Sequence, residues 1–368
     1  MMDSVYMQRC FDLALKGFAD VGPNPMVGAV IVQNDQIIGE GYHQQYGQAH
    51  AEVNAIASVS DKTKLKTSTL YVNLEPCSHY GKTPPCVDLI IQMQIPKVVI
   101  SCVDPNPSVH GQGVNKLRAA GVEVLEHVME EEGQQLNKRF FTYIQKRRPY
   151  IILKWAQSQD GFMDIDRQEP SSPKGSYRIT DEYLRVLDHL WRSQEKAILV
   201  GSQTLLIDNP QLNIRTICGR NPIRISIDRR VRLSENLHFF DKTQKSILFT
   251  AKDNASLEAP DEMLLYVPIT PHCTLEEILK SLFQYQINSL IVEGGKQILE
   301  SFIESNLWDE ARVFVGNTRL EHGLSAPSLP RSYSLNPQSD SLYPAVFYPW
   351  KVNKQSILYF KNEEARFL

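Results

Sequence analysis

Three short segments carry side chains that together could do metal chemistry. His50-Ala51-Glu52 sets an imidazole two positions before a carboxylate, Pro76-Cys77 supplies a thiol, and Cys86 supplies a second thiol nine positions later. One imidazole and two thiolates leave a fourth tetrahedral position open, the layout of a catalytic rather than a structural zinc. Zinc held in this way lowers the pKa of a bound water toward ~7 and makes a hydroxide nucleophile near neutrality. Glu52 is too close to His50 in sequence to be an obvious fourth ligand. Its expected work is to carry a proton from that water to a leaving amine. A second group of segments is less specific. Ile291-Val292-Glu293-Gly294-Gly295 runs into Lys296, so a glycine pair opens a helix where bare N–H groups can approach a pyrophosphate. The G-x-G-x-x-G dinucleotide fingerprint is absent.

Elements must hold these residues in place. Over residues 2–145, strand and helix signals alternate. Apolar spacing predicts a helix over 2–18, stopped at Gly22-Pro23, and a hairpin of 27–32 with 36–42 turning at Asn34-Asp35. Further helices are expected over 49–59, 87–93, 115–120 and 130–145, with strands at 70–73, 97–103 and 122–125. This is a three-layer α/β pattern. The run Lys146-Arg147-Arg148 reads as a solvated helix end, and Pro149 closes the first domain, since 150–155 begins a new strand. Beyond it, strands are expected at 197–200, 223–227, 246–250, 264–267, 289–292 and 312–315, with a helix over 296–304. Residues 164–175 and 325–344 read as loops.

The bulk numbers narrow the function. A chain of 368 residues exceeds what one core usually serves, so two domains are expected. Hydrophobic residues make up 42% and charged residues 22%, ordinary for a folded protein. A formal net charge of −3 offers no general attraction to nucleic acid or to an anionic membrane, so phosphate recognition must be local. No apolar run approaches the ~20 residues of a membrane span. Six cysteines over this length suggest metal or catalysis rather than a disulfide framework. The expectation is a cytoplasmic globular enzyme.

The H-x-E and P-C segments together match the pattern of zinc nucleobase deaminases, with the second cysteine displaced by eight intervening residues, Ser78 to Pro85. With Pro23-Asn24-Pro25-Met26-Val27-Gly28-Ala29-Val30, the stretch Leu74 to Cys86 and Asp104-Pro105-Asn106-Pro107, the first half resembles the deaminase half of the bifunctional riboflavin-biosynthesis deaminase/reductase family. The resemblance implies a cytidine-deaminase-like α/β/α domain over 1–146. It also implies zinc on His50, Cys77 and Cys86, Glu52 as proton shuttle, and a diamino-hydroxypyrimidine ribosylamino 5-phosphate as substrate. For that substrate, Lys82 and His79 are expected near the phosphate. Asn24 is expected at the ring edge and His43 at the sugar or phosphate. Cys10 and Cys102 are expected to be core thiols.

Lys154 to Gly161, Leu199-Val200-Gly201-Ser202 with Thr204 and Asp208-Asn209-Pro210, and the Glu293 turn resemble the family's reductase half, whose fold is like dihydrofolate reductase. The implied domain is 149–368 and the implied cofactor NADPH. By this resemblance Ser176, Arg192, Leu212 and Arg215 touch substrate, with Arg192 and Arg215 as phosphate clamps. Glu293 also touches substrate, and Ala156, Thr204, Asp208, Gly294 and Gly295 touch NADPH. Asp208 stands beside the sugar carbon that accepts hydride. The chain departs from the family pattern at Arg178, where an aromatic residue is usual; an arginine there would meet the 2′-phosphate of NADPH. The implied partners are small molecules, with homo-oligomerisation through the reductase half. Two other readings compete: an active deaminase with a non-catalytic binding module behind it, and a deaminase of nucleic-acid bases. The second lacks the basic, aromatic-studded face it would need.

Overall fold

The protein is described here from a computed structural model covering residues 2–18, 20–80, 84–107, 109–167, 177–251, 261–329, 351–352, 355–362 and 364–365. The chain divides into two compact units, Met1–Gln145 and Lys146–Leu368.

The first unit runs α1 (Met2–Leu15), β1 (Gly28–Gln33), β2 (Gln36–Tyr42), α2 (Ala51–Ser58), β3 (Thr69–Leu74), α3 (Cys86–Gln92), β4 (Lys97–Cys102), α4 (Gln112–Ala119), β5 (Glu123–Leu125), α5 (Glu130–Leu136) and α6 (Lys138–Lys146). Its five strands lie in the order β2-β1-β3-β4-β5. β1 is antiparallel to both neighbours, while β3, β4 and β5 are parallel. The hairpin turns where expected, and Asn34 and Asp35 both take positive φ (49° and 59°), as a two-residue turn matched to strand twist requires. Along β1 the side chains alternate between faces. Ala29 and Ile31 pack with α2, α3 and α4. On the other face α1 comes so close that a Cβ on Gly28 would lie 2.1 Å from the Cys10 carbonyl oxygen. The core between these layers is built from Val, Ile and Leu of β1, β3 and β4.

One expected helix is two. The stretch 130–145 divides at Asn137, which caps α5 while its side chain leaves for another segment. Asn137 Oδ1 accepts from Met26 N at 2.8 Å and its Nδ2 donates to Met26 O at 2.9 Å. Periodicity could not report this break, because its cause is a partner 111 residues away.

The second unit runs β6 (Tyr150–Gln157), β7 (Phe162–Asp164), α7 (Glu182–Gln194), β8 (Ala197–Gly201), α8 (Ser202–Asp208), β9 (Ile223–Asp228), β10 (Ser246–Thr250), β11 (Leu264–Pro268), α9 (Leu275–Gln284), β12 (Ser289–Glu293), α10 (Lys296–Glu304), β13 (Glu310–Val315), β14 (Leu324–Ser325), β15 (Lys351–Val352) and β16 (Gln355–Lys361). The main sheet has the order β11-β10-β9-β8-β12-β6-β13-β16-β15. Its first seven strands are parallel, and β16 returns antiparallel to β13. Ile151, Leu153 and Trp155 of β6 pack with α9 and α10. Tyr150 and Ile152 face α7, whose Trp191 stacks on Phe314 at 4.8 Å. A strand buried on both faces reads as a continuous apolar run, and 150–155 does. The sequence reading missed the helices α7, α8 and α9 and the strands β7, β14, β15 and β16. Of the two stretches expected to be loops, 164–175 lies outside the described residues from position 168, and 325–344 from position 330.

Candidate functional site

In the first unit three potential metal donors meet at two helix starts. His50 is the N-cap of α2, Cys86 is the first residue of α3, and Cys77 lies on the loop leaving β3. His50 Nδ1 stands 3.5 Å from Cys77 Sγ and 3.3 Å from Cys86 Sγ, and the three donor atoms all fall within 4.8 Å of one another. The Cys86 amide donates to Cys77 Sγ at 3.3 Å. The Cys77 thiol is pulled down to about 4, because Cys86 and His50 both offer it hydrogen bonds; Cys86, which holds the shared proton, is pushed the other way. Two helix N-termini add their partial positive charge. One imidazole and two sulfurs, one already polarised as thiolate, are a donor set that fits zinc with a position to spare.

Glu52 sits in the first turn of α2 and is 3% exposed. Burial, then the negative Cys77 sulfur, raises its carboxyl to about 7, so it can both take and give a proton near neutrality. Gly39 and Gly41 let α2 settle on β2: a Cβ on Gly41 would lie 2.3 Å from Ala55 N and 2.6 Å from Ala51 O.

The donors open on a cavity of about 320 Å³ whose wall includes Asn24, His43, Glu52, His79, Asp104 and Phe140. Asn24 Nδ2 donates to His43 Nε2 at 3.2 Å, and His43 Nδ1 then donates to Ala49 O at 3.1 Å. Burial lowers the His43 pKa and favours this neutral ring, which meets His50 edge-on at 5.5 Å. His79 is exposed at the rim. Lys82 lies outside the described residues. Sequence reasoning gave no role to Asn73 and Asn137, which hold the Asn24–Gly28 segment by the main chain of Met26 and Gly28. Nor did it assign Glu75. Polar residues within and just after the mostly apolar strand β3 (Asn73 and Glu75) were the available signal, and they do not say which backbone each side chain will reach. Cys10 and Cys102 are buried, as expected of core thiols.

In the second unit, Ala156, Thr204 and Glu293-Gly294-Gly295 gather at the carboxyl ends of parallel strands β6, β8 and β12, the edge where open α/β sheets take ligands. Gly294 and Gly295 have φ of 71° and 77°, and Thr204 lies against both: a Cβ on Gly295 would be 3.0 Å from Thr204 Oγ1. Asp208 ends α8 and one of its buried oxygens, Oδ1, has no hydrogen-bond partner among the described residues. Burial, and then the nearby Asp164 charge, raise its pKa, with Arg167 opposing.

Two of the expected substrate contacts have partners inside this unit. Arg192, expected as a phosphate clamp, has a side chain only 13% exposed and paired with carboxylates. Its Nε and Nη2 donate to Glu293 at 2.9 and 2.7 Å, and Nη2 lies 2.9 Å from Asp188. Lys154 contacts Asp188 and lies 3.7 Å from Glu293, which completes two cations and two anions. Burial alone would raise the Asp188 pKa, yet Arg192 and Lys154 hold it below the ordinary range. Leu212, expected to touch substrate, packs its side chain in the apolar core, and its carbonyl accepts from Gln244 Nε2 at 3.0 Å, with φ 53°. Arg215 is exposed and bonds Gln211 and Asn213; Arg178 is exposed. Ser176 lies outside the described residues.

Fold and site together define a zinc-type deaminase unit followed by a separate parallel-sheet unit with a glycine turn. Known families agree. A family model for the cytidine and deoxycytidylate deaminase zinc-binding region matches residues 1–102, and one for the RibD C-terminal domain matches 149–320. The riboflavin biosynthesis protein RibD of Aquifex aeolicus is 40% identical over 331 residues, 89% of this chain and 90% of its own. That of Escherichia coli is 37% identical over 330 residues, 86% of this chain and 88% of its own. A solved structure of a diaminohydroxyphosphoribosylaminopyrimidine deaminase/5-amino-6-(5-phosphoribosylamino)uracil reductase from Thermotoga maritima matches with a TM-score of 0.84, 36% identity and 98% coverage of both chains. The chain belongs to the RibD family of riboflavin biosynthesis proteins and is a bifunctional deaminase and reductase. Its α/β halves are cytidine-deaminase-like and dihydrofolate-reductase-like. Among the described residues no helix is long and apolar enough to cross a membrane.

Proposed function

We propose that the first unit hydrolyses the 2-amino group from a diamino-hydroxypyrimidine bearing a ribosylamino 5-phosphate. The second then reduces the ring-opened ribosyl side chain to ribityl with NADPH. The observation that carries the first half is the convergence of His50, Cys77 and Cys86 on one cavity wall with buried Glu52 beside them. Zinc on those three donors would supply Lewis acidity and a nucleophilic hydroxide. Glu52, poised near neutrality, takes a proton and returns it to the ring nitrogen and the departing amine. The Asn24–His43 pair offers the ring or sugar one fixed donor pattern, and His79 with Lys82 serves the phosphate.

For the second half, the main-chain N–H groups of Gly294 and Gly295 suit a dinucleotide diphosphate beside Thr204, with Ala156 close by. Asp208, whose unpartnered oxygen and raised pKa make it a proton reservoir, stands by the carbon that receives hydride. Arg192 holds Glu293 in place for substrate rather than clamping phosphate itself. Arg215, with Ser176, is left for the substrate phosphate, and Arg178 for the 2′-phosphate of NADPH. Assembly into homo-oligomers through the second unit and a cytoplasmic location belong to the same reading.

The test follows ammonia and NADPH absorbance together with the zinc-loaded protein and the pyrimidine substrate. Glu52→Gln should cut ammonia release by roughly 10²–10⁴-fold while leaving NADPH oxidation on the deaminated compound intact. Ammonia release without any NADPH oxidation by the unmodified protein would instead favour a non-catalytic second unit.

A further inference from the structure

Glu75 lies two residues before Cys77 and is only 4% exposed. A buried carboxylate needs partners. Among the described residues the hydrogen bonds of this one are all to main-chain N–H groups of a single distant loop. Oε2 accepts from Asp104 N at 3.1 Å and Gly111 N at 3.0 Å; Oε1 accepts from Gly113 N at 2.8 Å and Val114 N at 3.3 Å. Gly113 and Val114 belong to the first turn of α4, whose own N-cap, Gly111, has no side chain to offer. The carboxylate therefore caps that helix from another strand, at the end where the dipole favours an anion. Gly113 makes the approach possible, since a Cβ there would lie 2.3 Å from the Pro76 carbonyl oxygen and 3.0 Å from Glu75 Oε1.

The loop so held is part of the deaminase cavity: Asp104, Asn106 and Val109 all line it. Asp104 is in turn fixed, its Oδ1 accepting from Asn106 N at 2.8 Å. The short segment after β3 thus carries both Cys77, one of the metal donors, and Glu75, which holds the loop of Asp104 and Asn106; all four line the same cavity.

We propose that Glu75 is a positioning residue for the deamination. It fixes the cavity-lining loop of Asp104 and Asn106 to the segment that carries Cys77, and so controls how the pyrimidine is held. The proposal rests on the reading of this cavity as the deaminase site. A residue that merely supported the fold would lower zinc content, stability and both activities together.

The experiment uses the full zinc-loaded chain. Glu75→Gln keeps size but leaves one good acceptor and turns an NH₂ group toward N–H donors. Zinc per chain and NADPH oxidation on deaminated substrate should stay near the unmodified values, while KM for ammonia release rises roughly tenfold or more with a smaller change in kcat. Glu75→Asp, which keeps the charge but shortens its reach, should fall between. Because Glu75 acts through the loop, adding Glu75→Gln to Asn106→Ala should cost little beyond the larger single effect. Zinc loss in step with activity in either Glu75 variant, an unchanged KM, or full additivity with Asn106→Ala would overturn it. If Glu52→Gln left ammonia release intact, the assignment of the site itself would fail, whatever the Glu75 variants did.

Discussion

The two units treat buried polar groups in opposite ways. In the first, His50, Cys77 and Cys86 have mainly one another, and Glu52 is buried beside them without a cation of its own. That donor set fits a metal cation. In the second, Lys154, Asp188, Arg192 and Glu293 pair among themselves and need nothing added. The same unit also carries a glycine turn and the Asp208 carboxylate, whose Oδ1 is without a hydrogen-bond partner among the described residues. The contrast teaches that a cluster of charged residues marks a site most clearly where its charges are not already spent.

The largest expected effect comes from breaking the closed network. Arg192→Met leaves two buried carboxylates facing Lys154 alone and should cost about 3–5 kcal/mol in denaturant unfolding of the second unit. Ammonia release by the first unit should persist. A loss within the range of surface substitutions would mean the network is not what holds this strand end together.

A smaller effect should follow from lifting the open site off its support. Gly41→Ala inserts a methyl 2.3 Å from the backbone of α2 and should cost about 1–3 kcal/mol. Because α2 carries His50 and Glu52, zinc retention during dialysis should fall with it. Unchanged zinc retention despite the lost stability would show that α2 shifts as a rigid piece.

The smallest effect is one of sign. The folded pKa of Asp208 is raised, so its carboxylate lowers stability as pH rises through that value, whereas below the ordinary aspartate range near ~3.9 both states are neutral. Asp208→Asn should therefore raise the Tm at pH 7, with the gain fading as the pH drops below that range, while NADPH oxidation is lost. A lower Tm at pH 7 would mean the carboxylate is stabilised in the fold, and would remove it as a proton reservoir.

Much of the first site was legible because its donors are local. His50 and Glu52 share a turn, and Cys77 and Cys86 flank one loop, so spacing alone carried the chemistry. The second site was less so. Arg192 and Glu293 meet across 101 residues, and a guanidinium in a sequence does not show whether a carboxylate already holds it. Likewise nothing local in the sequence shows that the Leu212 side chain packs into the apolar core.

By itself the sequence determined the three-layer pattern of the first half, the parallel strands of the second, the position of the hairpin turn and the zinc-type donor set. Each follows from residue types within a few positions of one another, where periodicity and turn chemistry act. Only the tertiary structure decided that Asn137 breaks a helix to hold Met26, that Glu75 caps α4 from another strand, and that Arg192 is spent on carboxylates. Those outcomes are set by which distant backbone or charge arrives alongside a buried polar group. A buried polar group must take the partner that packing brings to it.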